Sequence, residues 1–455
     1  ESIVHYTTKV QLKVNKRLLY PLFSAAVLIL GTYIAIQYAT GALRVSQDGI
    51  IQGSGLLAAT SDPTGAELLI DGRLVSATDD TLYLEPDTYS VEIQKEGFST
   101  WQKNVQIMPE VVTQANARLF PIASSLTPLT FTGVMNVLPS PDGQKLLYYT
   151  ASQSATQKNG LYIIELTSNT FSLQRGPRQI LQDDARYNVR EANVIWSPDS
   201  SELLLLTEEK EVLLTLDQVR SLDQLPDISF RKKQILSQWE EEMYLRERQY
   251  LSTFPPEIIQ IATSSAKNVY FSPNKKMLLY TATASATLAD ELVAPIPGAS
   301  TQVQTRELKS GYIYVYDREE DRNFELGPEP KTDIGAKFLL ATDLYRNEPQ
   351  SFVASPSAFT RLQATDSAKL ATNFRRYHSP LFANTFQWFP DSRHLLFVAD
   401  GTVRIVEHDG MNNTSLYAGP FDNMFLYPWP DGNRVLITTS FSPTAASNLY
   451  AIELR

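Results

Sequence analysis

The sequence has no cysteine and only four histidines among its 455 residues. Without cysteine there are no disulfides, no cysteine-ligated zinc and no thiol catalysis. The histidines form no H-E-x-x-H motif and no carboxylate–histidine cluster with metal-ligand spacing. They are His5, His378, His394 and His408. We therefore expect no metal site.

The sequence also lacks a glycine-rich phosphate loop and a G-x-S-x-G nucleophile elbow. The acidic stretch 317–321 has neither the spacing nor the central glycine of a calcium loop. Residues 240–242 are three glutamates, and such a charge run on a helix is expected to be solvated. We therefore predict that the chain is not an enzyme and has no catalytic residue and no cofactor. The net charge of −10 argues against binding to nucleic acid.

Near the amino terminus, residues 18–36 form an uncharged apolar run that continues to about residue 42. A run of this length can cross about 30 Å of hydrocarbon as a helix. Four basic residues precede it and Arg44 follows it, so the positive-inside rule places the amino terminus in the cytoplasm. We expect a cytoplasmic tail at 1–17, a single transmembrane helix at 18–42 in the plasma membrane, and an extracytoplasmic remainder. A cleaved signal peptide and a buried globular helix are the alternatives.

After this run the pattern changes to alternating apolar and polar residues, with a hairpin signal at Asp71-Gly72. Together with Pro63-Thr64-Gly65-Ala66, this stretch closely resembles the PEGA domain, a small β-sandwich-like module of surface and envelope proteins. Thr64 stands where the family name has glutamate, and Asp87-Thr88 where Pro-Gly is common. The resemblance implies a small β-domain at 45–120 whose characteristic residues are structural.

A turn motif recurs five times, and each copy is followed by a short apolar run. The copies are Pro139-Ser140-Pro141-Asp142, Trp196-Ser197-Pro198-Asp199, Phe271-Ser272-Pro273-Asn274, Trp388-Phe389-Pro390-Asp391 and Pro428-Trp429-Pro430-Asp431. Proline fixes φ at the first corner and Asp or Asn can bond its own backbone, so the motif predicts a β-turn. The continuous apolar run predicts a strand that is buried on both faces. Five copies indicate a repeat architecture.

The copies resemble the Pro-Asp, or WD40-like, repeats of TolB-type propellers, over about residues 125–455. Ser200 and Lys275 stand where that family prefers glycine, and Phe389 and Trp429 stand where it prefers serine. These departures affect the expected blade boundaries more than the expected fold.

The resemblance implies a β-propeller at 121–455 with five or six blades, the sixth at a degenerate copy at 355–357. We expect residues 126–131 to close the ring by pairing with residues 448–453, because closure removes exposed sheet edges. An array of β-sandwiches without closure is the alternative.

Two insertions interrupt the repeats. Residues 217–256 contain a predicted helix at 230–250, with its apolar side chains on one face. Residues 281–310 are rich in alanine, serine and threonine and predict a long exposed loop. Residues 312–316 then predict an outer strand of a blade.

Four apolar residues are candidates for partner binding. Trp239 and Met243 lie on the apolar face of the predicted helix, which either docks a partner or packs on the rim of its own propeller. Phe98 and Trp101 lie near the end of the PEGA-like domain, where they either form an exposed pair or cap the small core.

These features predict an all-β protein with an N-terminal transmembrane helix, a small PEGA-like β-sandwich and a five- or six-bladed β-propeller with a helical insertion. We expect a non-enzymatic, membrane-anchored cell-envelope protein that binds or scaffolds envelope proteins or glycans. A lyase or glycosidase that uses the propeller channel, and a membrane-anchored envelope sensor, are the alternatives.

Overall fold

The computed structural model describes residues 16–39, 43–45, 51–151, 158–166, 176–184, 186–329, 386–423, 425–442 and 445–455. These residues form a mostly β structure. Helix α1 (Lys16–Ala39) is followed by a hairpin of β1 (Leu43–Val45) and β2 (Ile51–Gly53). Within these ranges, no helix combines the length and the apolar character that crossing a bilayer requires.

We call residues 55–121 the small domain. Its strands are β3 (Gly55–Asp62), β4 (Glu67–Ile70), β5 (Arg73–Ala77), β6 (Asp80–Leu84), β7 (Thr88–Gln94), β8 (Trp101–Gln106) and β9 (Val112–Arg118). They form two sheets, ordered β6-β3-β9 and β5-β4-β7-β8, around one apolar core. The predicted hairpin is confirmed, because Asp71 and Gly72 join β4 to β5 with φ of 50° and 74°, as a two-residue hairpin turn requires.

We call residues 126–455 the large domain. Its strands up to the helical insertion are β10 (Leu126–Pro128), β11 (Met135–Pro139), β12 (Lys145–Thr150), β13 (Gly160–Glu165), β14 (Arg178–Gln182), β15 (Asn193–Trp196), β16 (Glu202–Leu206), β17 (Glu211–Thr215) and β18 (Arg220–Ser221). Two helices follow, α2 (Lys232–Leu251) and α3 (Pro256–Ser264).

The remaining strands follow α3. They are β19 (Ala266–Phe271), β20 (Met277–Ala282), β21 (Ala286–Thr287), β22 (Glu307–Leu308), β23 (Tyr312–Asp317), β24 (Arg322–Pro328), β25 (Gln387–Trp388), β26 (His394–Ala399), β27 (Thr402–Glu407), β28 (Thr414–Tyr417), β29 (Leu426–Pro428), β30 (Arg434–Thr439) and β31 (Asn448–Glu453).

In the described part of the large domain, sheets of three or more strands form five times along the chain. Sheet 1 is β11-β12-β13-β14-β18, sheet 2 is β15-β16-β17, sheet 3 is β19-β20-β23-β24, sheet 4 is β25-β26-β27-β28, and sheet 5 is β10-β31-β30-β29. The predicted pairing of the two ends of the large domain is confirmed, since β10 and β31 are antiparallel neighbours in sheet 5, although the pairing covers residues 126–128 rather than 126–131.

Apolar clusters join neighbouring sheets. Separate clusters lie between sheets 1 and 2, 3 and 4, 4 and 5, and 5 and 1. Between sheets 2 and 3 the helices take this role, because α2 packs on sheet 2 and α3 packs on sheet 3. These contacts lead from sheet 1 to sheet 2, through the helices to sheet 3, on to sheets 4 and 5, and from sheet 5 back to sheet 1.

The continuous apolar runs are buried on both faces, as predicted. In β16, Leu203 and Leu205 enter the cluster shared with sheet 1, and Leu204 enters the cluster shared with α2. A strand with a core on each side has no position for an alternating polar residue.

The predicted helix at 230–250 is observed as α2. Helix α3 was not predicted, because adjacent prolines such as Pro255 and Pro256 commonly mark the end of a helix. Pro256 instead occupies the first turn of α3, where proline needs no N–H partner and has a suitable φ.

Two predictions about the second insertion are wrong. The segment 281–310 is not a wholly exposed loop, because β21 pairs with β22, and Leu288 and Leu308 are buried. The strand at 312–316, observed as β23, was predicted at the outer edge of a blade. It pairs with β20 on one side and β24 on the other, so it is a central strand of sheet 3 and not an edge strand. The degenerate copy at 355–357 lies outside the described residues.

Candidate functional site at the junction of the two domains

The five motif turns share one geometry. Each joins two neighbouring strands of its sheet. In each turn the Asp or Asn side chain accepts a hydrogen bond, at 2.8–3.1 Å, from the backbone N–H two residues later. The residue in between has a positive φ in every copy, and these residues are Gly143, Ser200, Lys275, Ser392 and Gly432.

Two of these five positions are serine, and both serines connect neighbouring turns. The Ser200 hydroxyl accepts a hydrogen bond from the Asp142 N–H, and the Ser392 hydroxyl accepts one from the Asn274 N–H, both at 3.0 Å. A serine with positive φ is strained, but here its side chain supplies a contact that glycine lacks.

The turns lie close together at one end of the large domain, which we call the turn end. A Cβ atom on Gly143 would lie 2.9 Å from the Tyr427 hydroxyl, so the first and fifth sheets approach closely there. Between the second and third turns lies α2, whose Arg246 donates to the Pro198 carbonyl at 3.2 Å.

The small domain binds to this turn end through Arg118. Its guanidinium donates to the Gly432 carbonyl at 2.5 Å and lies 3.6 Å from the Asp391 carboxylate, so one side chain contacts the fourth and fifth turns. The guanidinium also lies over the Phe389 ring, 5.0 Å from its centroid. Arginine suits this position because its planar group can hydrogen-bond and stack at once.

Next to Arg118, the Phe120 ring meets the rings of Phe389 and His394 edge to face. His394 in turn lies 2.8 Å from the Asp391 carboxylate. Burial alone would raise the pKa of Asp391, but hydrogen bonds from His394 and the Arg393 N–H, with the positive charge of Arg118, lower it to about 2. Asp391 therefore stays charged at pH values where an ordinary aspartate begins to protonate.

A second set of contacts centres on Lys103 of β8. Its ammonium is paired with the Glu407 carboxylate at 2.5 Å and with the Asp409 carboxylate. The Trp101 indole N–H donates to the same Glu407 carboxylate at 2.5 Å. All four side chains are largely withdrawn from solvent.

The charges in this set stabilise one another. Burial lowers the pKa of Lys103, but Glu407 and Asp409 more than offset it, so the pKa ends above its ordinary value. Burial raises the pKa of Asp409, but the charges of Lys103 and His408, with hydrogen bonds from the Lys103 ammonium and the Met411 N–H, bring it below its ordinary value. Both groups are therefore held in their charged forms.

A third contact between the two domains comes from the segment between β21 and β22. We call this segment, residues 288–306, the strap. Gln302 donates to the Asn104 carbonyl of the small domain at 2.7 Å. On its other side the Ser300 N–H donates to the Glu320 carboxylate at 2.9 Å. Burial raises the pKa of Glu320 and of the nearby Asp317.

The chemistry of this junction is that of structural attachment. Across the part of the chain that the structure describes, no three His, Cys, Asp or Glu side chains are grouped to hold a metal ion. The buried charges bind each other, and the aromatic rings fill the space between the domains. The junction therefore fixes the small domain on the turn end.

The candidates for partner binding all contact their own chain. Trp101 is buried at the junction, and Phe98 is half-buried against the core of the small domain. Trp239 and Met243, 9% and 6% exposed, pack against Ile195 and other apolar side chains of sheet 2. Whether a partner also uses these residues stays a prediction.

Sequence reasoning missed Arg118, Lys103 and Glu407. One signal was available, because Lys103 lies between Trp101 and Val105 on the same face of β8, where alternation calls for an apolar residue. A charge on the core-facing side of a strand indicates a buried counter-charge.

The prediction for residues 240–242 is wrong for one of the three glutamates. Glu240 is 8% exposed, and its Oε1 atom has no hydrogen-bond partner. Glu241 and Glu242 are exposed as expected. Burial raises the pKa of Glu240 to about 7. The helix turns Glu240 inward because it follows Trp239 and lies one turn after Leu236.

We expect Glu240→Gln to stabilise the protein above pH 7 and to leave it unchanged near pH 4. A carboxyl group whose pKa is raised by folding destabilises the folded state as pH rises from about 4.3 through the folded value. The expected gain at pH 8 is about 1–3 kcal/mol, read from thermal melts across pH. Glu241→Gln, at an exposed position of the same helix, is the control, and equal melts of the two variants at pH 8 would contradict the assignment.

Comparisons with known proteins identify the small domain. Residues 54–122 are a PEGA domain, matching the family of that name, compared with the predicted 45–120. No curated protein is significantly similar in sequence to the chain.

Several solved structures resemble the chain weakly, with low sequence identity and low TM-scores. The putative TolB of Agrobacterium tumefaciens is 12% identical, with a TM-score of 0.23 over 72% of this chain and 83% of that one. Oligogalacturonate lyase of Vibrio parahaemolyticus is 9% identical, with a TM-score of 0.20 over 80% and 74%. TolB of Acinetobacter baumannii is 12% identical, with a TM-score of 0.18 over 80% and 59%.

Proposed function

We propose that the large domain is a β-propeller whose blades are the five sheets. Support comes from the apolar clusters, each of which is shared between neighbours in an order that returns to its start. The pairing of β10 with β31 is the kind of closure that removes a free sheet edge. In this proposal the α2–α3 pair fills one position of the ring between sheets 2 and 3.

In the same proposal the chain is a non-enzymatic, membrane-anchored cell-envelope protein that binds or scaffolds envelope proteins or glycans outside the cytoplasm. Helix α1 supports the anchor, because its large apolar side chains are exposed; Phe23, Leu28 and Ile29 are 71%, 70% and 71% exposed. Contiguous exposed apolar surface is typical of contact with a membrane or another protein.

The observation that carries the scaffold role is the junction. A domain on a flexible linker samples many orientations, whereas Arg118, Lys103 and Trp101 hold the PEGA domain against the turn end by buried, charge-assisted contacts. The end of the large domain opposite the turn end then keeps a fixed orientation relative to the PEGA domain and faces away from it. Such preorganisation lowers the entropic cost of binding.

Crosslinking and mass spectrometry on intact native membranes test this proposal. We expect crosslinks from the large domain to one defined envelope protein or complex. Crosslinks only within the chain or between its copies would contradict a scaffold for other proteins.

The anchor has its own test. The full chain is expected to stay with membranes in alkaline carbonate, whereas a variant without residues 18–36 is expected to be released. The release arises because burial of the apolar run in hydrocarbon is lost. Extraction of the full chain by carbonate alone would contradict membrane anchoring.

A further inference from the structure

The strap leaves the large domain and reaches the small domain at the end of β9 that lies away from the turn end. A Cβ atom on Gly298 would lie 3.1 Å from the Val112 carbonyl oxygen, so the strap passes close to the first residue of β9. Arg118, which contacts the turn end, is the last residue of the same strand. Because β9 has seven residues, these two contacts are about 20 Å apart.

The part of the strap at this end of β9 is apolar and exposed. Residues 292–305 contain no charged residue, although 20% of the chain is charged. Ile296 is 46% exposed, and Val112 adds a second apolar side chain that is 51% exposed. We call the four exposed residues that precede Gly298 the strap tip, and they are Ala294-Pro295-Ile296-Pro297.

The strap tip is held in one conformation. Gly298 follows Pro297 and has a φ of 76°, as the second central position of a type II turn requires. Before the tip, the Leu292 N–H donates to the Asp321 carboxylate at 2.8 Å, and after it the Ser300 N–H donates to Glu320. The apolar side chains are therefore presented before any partner is met, which favours binding.

The chain enters the small domain beside the strap tip. The Leu56 N–H at the start of β3 donates to the Val111 carbonyl at 3.0 Å. A Cβ atom on Gly298 would lie 3.4 Å from Cγ1 of the same valine. The start of β3 and the turn of the strap therefore contact the same residue.

The connection from α1 to this point is short. Leu43 pairs with Gly53, so the β1–β2 hairpin brings the chain back to the position from which it left. Three residues separate Ala39, the last residue of α1, from Leu43, and they span at most about 14 Å. One residue, Ser54, separates the hairpin from β3. If α1 anchors the chain, the start of β3 is therefore the part of the small domain that is tied closely to the bilayer.

We propose that the strap tip contacts the headgroup region of the bilayer as a second membrane contact beside α1. This inference rests on the proposed membrane anchor. Apolar side chains gain free energy when they leave water at the membrane interface, and residues 292–305 carry no charge that would lose hydration there. Since the strap belongs to the large domain, this contact limits how far the extracytoplasmic part can tilt about the end of α1.

The charges around the strap tip indicate which lipid suits it. Asp290 and Glu291 precede the tip in the chain, and Glu110 lies two residues before Val112; all three acidic residues are exposed. Anionic headgroups would repel these carboxylates. We therefore expect the strap tip to contact zwitterionic lipid in preference to anionic lipid.

The test uses single cysteines in the full chain, which has no cysteine of its own. Ala294→Cys is labelled with an environment-sensitive fluorophore and reconstituted into phosphatidylcholine nanodiscs. We expect blue-shifted emission that is quenched by doxyl-labelled lipid. Both effects should decrease in phosphatidylglycerol nanodiscs. They should also decrease when Ile296→Asp is added, because an aspartate must be dehydrated to enter the interface.

Two labelled variants are the controls. Val303→Cys labels a position that is 92% exposed in the same strap, where the strap returns to the large domain through the Thr305 N–H and the Asn323 carbonyl. This label is expected to stay in water. Leu28→Cys labels α1 and is expected to be quenched by lipid. All of these positions are exposed, so the variants should melt like the parent.

Equal emission and equal quenching of the labels at positions 294 and 303 would overturn the inference, as would quenching that Ile296→Asp leaves unchanged. A blue shift at position 294 that doxyl lipid does not quench would also overturn it, because a second copy of the chain then covers the strap tip. If the label at position 28 is quenched and the label at 294 is not, the inference fails and the proposed anchor stands. If neither label is quenched, the proposed anchor fails as well.

Discussion

Replacing Lys103 with methionine is expected to detach the PEGA domain from the large domain. The change leaves the Glu407 and Asp409 carboxylates buried without their cation. Breaking a buried ion pair from one side costs about 3–5 kcal/mol, because the remaining charge stays desolvated. Methionine preserves most of the volume of the lysine stem, so the loss reports the charge rather than a cavity.

The measurement is urea denaturation together with limited proteolysis between the domains, where the variant should be cut faster. The triple variant Lys103→Met/Glu407→Gln/Asp409→Asn is expected to recover most of the lost stability, since neutral groups need no counter-charge. Lys309→Met removes an exposed pair with Glu325 and should change stability by less than about 1 kcal/mol. A Lys103→Met variant as stable and as protease-resistant as the Lys309→Met control would show that the junction does not depend on this cluster.

Trp239→Ala is expected to lower the stability of the large domain by about 3–5 kcal/mol. The indole packs with Leu236 and Met243 of α2 against sheet 2, in the cluster that takes the place of a contact between sheets 2 and 3. Removing it leaves a cavity where α2 packs on sheet 2, beside the helices that lie between sheets 2 and 3.

Calorimetry of the full chain measures this loss. Leu245→Ala is the matched control, because Leu245 is 55% exposed on the same helix and an exposed truncation changes stability by about 0.5 kcal/mol or less. If Trp239→Ala melts like this control but loses crosslinks to an envelope protein, Trp239 contributes to partner binding rather than to the stability of the large domain.

The sequence predicted the elements whose signals are local. The Asp71-Gly72 hairpin and the five motif turns follow from backbone preferences of a few adjacent residues. Helix α2 follows from the spacing of apolar side chains on one face. The β10–β31 pairing was predictable because a closed repeat array must join its ends.

The junction was not predictable, because its contacts join residues about 300 positions apart. In the sequence, nothing distinguishes Arg118 from other residues at strand ends. Its role depends on Gly432 and Asp391, which only the fold places beside it. The burial of Glu240 was also not predictable, since a run of glutamates does not indicate which of them faces a neighbouring sheet. Ser200 was noted only as a departure from a glycine pattern, and Ser392 occupies the same turn position. Their hydrogen bonds to neighbouring turns depend on the packing of one sheet against the next.

The position of β31 between β10 and β30 has a consequence for how the large domain folds and how long it lasts. The Leu449 N–H reaches the Thr130 hydroxyl, 319 residues earlier in the chain, so sheet 5 is completed only after nearly the whole domain is in place. Contacts of such long sequence separation slow folding. Unfolding of sheet 5 in turn requires β31 to separate from two partners, β10 and β30. If this separation is slow, we expect the lifetime of the folded domain to follow its unfolding rate rather than its equilibrium stability.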